Sequence, residues 1–109
     1  MVLPTGAVTF LFTDIEGSTS LWEAHPRAMR SAMRLHDSIL EQAVFTNHGA
    51  VFKHTGDGIC AAFGAPSEAI AAAFDAQCAL VTQAWGVIGT LRIRMGVHTG
   101  EVEQDAVIT

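Results

Sequence analysis

The chain has 109 residues, half of them apolar and 16% charged, which describes one compact domain with a single hydrophobic core rather than a disordered segment. Its formal charge of −5 disfavours nucleic-acid backbones and anionic membranes as partners. No apolar run approaches the ~20 residues needed to cross a bilayer, and Met1 to Gly6 lacks a basic leader and cleavage pattern. Two cysteines without a secretion signal read as reduced thiols in a cytoplasmic protein, both buried as small apolar residues.

In chain order, Val8 to Thr13 is dense in β-branched and aromatic residues and predicts a covered strand. A helical pattern starts at Ser18 or Thr19, breaks near His25-Pro26 and resumes to about Asn47. Met29, Met33, His36 and Leu40, beside Ala32, Leu35, Ile39 and Ala43, form the apolar side of the longer helix. Ala50 to Thr55 and Gly58 to Phe63 flank a Gly-Asp-Gly turn and predict a hairpin. A further helix starts at Pro66, with Ile70, Ala73, Phe74, Gln77 and Val81 along one face, and ends near Trp85-Gly86. Leu91 to His98 alternates with period two, as a half-buried strand does. This order predicts an α+β fold, a ferredoxin-like or palm-like mixed sheet with helices on one face, over residues 1–109.

In that topology the hairpin strands flank the first strand, so Asp14 at its end and Asp57 at the hairpin tip face one small volume. Two such carboxylates repel unless a cation lies between them. A pair of Mg²⁺ or Mn²⁺ ions removes that cost and suits phosphate chemistry. Glu16-Gly17-Ser18-Thr19 turns the chain and offers amides at a helix start, where a phosphate docks. Lys53, four residues before Asp57, either reads a purine edge or guards an exposed strand. Singly, Asp14 and Asp57 are ordinary turn formers; together, beside Gly-Ser-Thr, they argue for a nucleoside triphosphate site. The five histidines show no zinc-ligand spacing, and neither a nucleophile elbow nor a Walker lysine occurs.

Three segments, Phe12 to Thr19, Phe52 to Gly58 and Arg94 to Glu101, resemble in order and spacing three signatures of the class III nucleotidyl cyclase catalytic domain. The start of the chain is similar to bacterial, actinobacterial-type members. The resemblance implies that Asp14 and Asp57 bind two metal ions, with the Ile15 carbonyl on one of them. It further implies that Glu16, Gly17, Ser18 and Thr19 hold the triphosphate and that Lys53 reads adenine. The implied reaction converts ATP to cyclic AMP and pyrophosphate.

Members of this family continue into a second base-reading residue, then an Asn and an Arg contributed across a subunit interface. Gln104 to Thr109 does not reproduce that pattern. Loss of such a charge-stabilising donor costs about 10²–10³ in rate, so the chain is expected to be weak or inactive alone. It would work as a homodimer or by pairing with a complete cyclase chain. The alternative is a non-catalytic nucleotide-binding or dimerisation module. A diguanylate cyclase is disfavoured, because its hairpin would carry Gly-Gly-Asp/Glu-Glu-Phe where this chain has His54-Thr55-Gly56-Asp57-Gly58.

Overall fold

A computed structural model describes residues 6–102. The readings made for Met1 to Thr5 and for Gln104 to Thr109 lie outside them. Strand β1 spans Gly6–Ile15, followed by helices α1 (Ser18–Ala24) and α2 (Pro26–Thr46). Strands β2 (Ala50–His54) and β3 (Ile59–Phe63) form the hairpin, and α3 (Pro66–Val81) leads through a single 3-10 turn to β4 (Ile93–Val102). The sheet order is β2-β3-β1-β4 with the helices layered on one face, the expected α+β arrangement.

Two details differ from the expected topology. Every pairing among the described residues is antiparallel rather than mixed. Only β3 of the hairpin borders β1; its other neighbour is β4, and β2 lies at the edge.

Alternation along β1 sorts its side chains. Leu11 and Ile15 enter the core beneath the helices, with Thr9 and Thr13 also buried on that side. Phe10, Phe12 and Asp14 point to the face without helices. There Phe10 stacks with Phe12 and meets Phe52 edge-on, at ring separations of 6.0 and 5.9 Å.

Helix α2 follows its predicted stripe except at Leu35, which is exposed. Met29, Ala32, His36, Leu40 and Ala43 are buried, and Pro26 occupies the first turn, where its missing N–H costs nothing. Helix α3 corrects the sequence reading. Ala69, Ala72, Ala76 and Leu80 face the sheet, while Ile70, Phe74 and Val81 are 60%, 69% and 80% exposed. Small side chains let the helix approach the sheet closely, and bulk at those positions would hold it off. The cysteines also depart from expectation: Cys78 is exposed and Cys60 half-buried on the open face, both unpaired. No helix among the described residues is long and apolar enough to cross a membrane.

Candidate functional site

Where the β1–β3 ladder ends at Phe12 and Cys60, side chains and a close backbone contact continue it. The buried Thr13 hydroxyl accepts a hydrogen bond from the Ile59 amide at 3.0 Å. Gly58 lies so near the Thr13 carbonyl that a Cβ there would fall 1.7 Å from the oxygen. Only glycine permits that approach. It fixes the β2–β3 turn, closed by Thr55 N–H donating to the Gly58 carbonyl, against the end of β1. Asp57, in that turn, is thereby carried toward Asp14.

A second tie comes from α1. Gly17 caps this helix in the left-handed conformation, at φ 68°, and turns the chain back toward the hairpin. Ser18, the first helical residue, then donates its hydroxyl to Asp57 Oδ2 at 3.1 Å. The first intrahelical bond runs from the Leu21 amide to the Gly17 carbonyl, so the amides of Ser18 and Thr19 precede the helical ladder. Glu16 is exposed and anchors through its amide to the Arg92 carbonyl at 2.9 Å. The Ile15 side chain is buried, opposite Ile93.

Asp14 is not free-standing. Arg94 lies directly opposite it on β4 and grips it with both fork positions, Nε to Oδ1 at 2.7 Å and Nη2 to Oδ2 at 3.0 Å. The hydrogen bond that Arg94 donates to Asp14, and then the Asp14 charge, hold the Arg94 proton more tightly than usual, against an opposing effect of desolvation. Glu16 and Asp57 add weaker electrostatic pull in the same direction. Phe12, Thr13, Asp14, Arg94, Met95 and Gly96 line a shallow depression of about 300 Å³ here. A larger cleft of about 370 Å³ lies between α2 and α3, but its one lining carboxylate, Asp75, is already bonded to Asn47.

Lys53 stands farther off. It pairs with Cys60, Cys60 with Phe12 and Phe12 with Gly96, so these residues form one row across the sheet. Two strand spacings, roughly 10 Å, separate Lys53 from β1. It is exposed and beside a register irregularity in an edge strand.

Sequence reading named the two aspartates but missed Arg94 as a partner and Ser18 as a support for Asp57. Period-two alternation does place Arg94 on one face of β4 with Gly96 and His98. Only the register puts it opposite Asp14.

The chain matches the adenylate and guanylate cyclase catalytic domain family over residues 2–108. A Mycobacterium tuberculosis protein is 40% identical over 103 residues, covering 92% of this chain and 33% of that protein. An adenylate cyclase of Podospora anserina is 32% identical over 117 residues, covering 90% of this chain and 6% of the fungal protein. The chain therefore spans about a third or less of the length of these relatives. Among solved structures, a Trypanosoma brucei adenylate cyclase in its monomeric state superposes with a TM-score of 0.84 at 27% identity, covering 92% of this chain and 59% of that one. A guanylyl cyclase gives 0.77 at 26% identity, covering 90% and 57%. Signature residues, fold and relatives agree: the chain belongs to the adenylate and guanylate cyclase catalytic domain family.

Proposed function

We propose that this chain carries the metal- and triphosphate-holding part of an adenylate cyclase site, where the ribose 3′-hydroxyl of ATP attacks the α-phosphorus and pyrophosphate leaves. The observation that carries the reading is the seating of the Asp57 turn against β1 by Gly58 and Thr13, at the end where Asp14 stands. Asp14, Asp57 and the Ile15 carbonyl form a hard-oxygen donor set that fits two Mg²⁺ or Mn²⁺ ions. When bound, such ions lower the pKa of the attacking hydroxyl and neutralise the leaving phosphates.

The remaining work falls to the chain's own groups. Ser18 holds the Asp57 carboxylate in place. Glu16, Gly17, Ser18 and Thr19 cradle the triphosphate, with amides that precede the helical ladder. Lys53 reads the adenine edge from the outer strand. The names of the fungal relatives support ATP as the substrate. A second copy, or a complete cyclase chain, covers the open sheet face around Phe10, Phe12 and Phe52 and completes the site. This reading places the chain in the cytoplasm, where its substrate is.

A second reading, a non-catalytic nucleotide-binding or pairing module, is favoured by one observation: both oxygens of Asp14 are engaged by Arg94. The two readings separate in an assay of the purified chain with Mn²⁺-ATP or Mn²⁺-GTP, beside Asp57→Ala. We expect cyclic AMP formation that disappears in the variant. More cyclic GMP than cyclic AMP would overturn the role of Lys53. No Asp57-dependent product from either nucleotide would overturn catalysis by this chain in favour of the second reading.

A further inference from the structure

In this structure both oxygens of the Asp14 carboxylate accept hydrogen bonds from Arg94, which places its positive charge where a metal ion would approach. The contact is built by register: Arg94 is the direct cross-strand neighbour of Asp14, and both side chains lie on the open face. Asp14 is the carboxylate in contact with Arg94; Glu16 and Asp57 attract the guanidinium more weakly. We propose that Arg94 is an internal counter-cation that competes with divalent metal for Asp14, holding the carboxylates together without metal and yielding Asp14 when metal arrives. This rests on the reading of Asp14 as a metal ligand.

The competition is winnable by the metal. The Arg94 and Asp14 side chains are 66% and 43% exposed, so water weakens their attraction, whereas a dication draws on both aspartates at once. Arginine suits this role better than lysine, because its fork matches a carboxylate at two points and its charge persists at every working pH. The exposed guanidinium swings away without opening the core.

The experiment is a titration of the purified chain with Mn²⁺ alone, followed by electron paramagnetic resonance of the free ion. It compares the wild type with Arg94→Gln, Arg94→Lys, Asp14→Asn and the double variant Arg94→Gln/Asp14→Asn. Arg94→Gln should bind Mn²⁺ roughly three- to tenfold more tightly than wild type. Arg94→Lys should fall between them, and the double variant should lose the gain. Equal or weaker binding by Arg94→Gln overturns the competition, as does a gain that survives in the double variant. If Asp14→Asn binds Mn²⁺ as wild type does, Asp14 is not a ligand and the underlying reading fails with the proposal. Loss of binding in Asp14→Asn with no gain in Arg94→Gln sinks the proposal alone.

Discussion

At the scale of single residues, the site depends on one missing side chain. Gly58 is needed because its Cα lies against the Thr13 carbonyl, and neither partner is the free end of a flexible side chain. Gly58→Ala must therefore push the hairpin off β1. We expect a loss of about 1–3 kcal/mol in urea denaturation, together with a loss of metal affinity that a merely destabilised scaffold would not give. Ser18 offers a finer test. Its bond to Asp57 positions the carboxylate without supplying a ligand, so Ser18→Ala should weaken Mn²⁺ binding less than Asp57→Ala does. Calorimetric titration of the two variants checks this, and equal affinity of Ser18→Ala and wild type would make the bond incidental. The aspartates stood out in the sequence because an Asp closing an apolar run and an Asp within Gly-x-Gly are local patterns, although Asp14 lies inside β1 rather than after it. Arg94 was not, since its partner is distant in sequence and meets it only through the β1–β4 register.

The elements show the same division between local and non-local information. The break at Pro26 and the apolar stripe of α2 follow directly from residue type and spacing, and apart from the exposed Leu35 both match the structure. Helix α3 misled because apolar bulk is not the same as burial. Its large residues Ile70, Phe74 and Val81 look outward, while alanines make the contact surface. Substitutions on its two faces should diverge accordingly. Phe74→Ser should change stability by no more than about 0.5 kcal/mol, whereas Ala72→Leu should cost about 1–3 kcal/mol through overpacking. Thermal unfolding of the pair decides the assignment, and the reverse ranking would contradict it. The strands were located from their patterns to within a few residues, but not their neighbours. That β4 rather than β2 borders β1 is a property of the assembled sheet.

For the whole molecule, that strand order leaves β2 and β4 at the edges of the described sheet and one face without helices. Phe12 is 42% exposed on that face, and Val97, on the outer strand β4, is 45% exposed. Apolar surface and unpaired edges together favour association, so we expect light scattering to show a dimer population that grows with concentration. A strictly monomeric chain at high concentration would contradict this. The α+β class followed from element order, and the proposed site rests on two aspartates that a palm-like sheet brings to one end. The central claim is that Asp14 and Asp57 act as one cation-dependent nucleotide site. Its most direct test is calorimetric binding of a non-hydrolysable ATP analogue, with and without Mn²⁺, by wild type, Asp14→Asn and Asp57→Asn. We expect Mn²⁺-dependent binding by the wild type and its loss in both variants; wild-type affinity in either variant would contradict the claim.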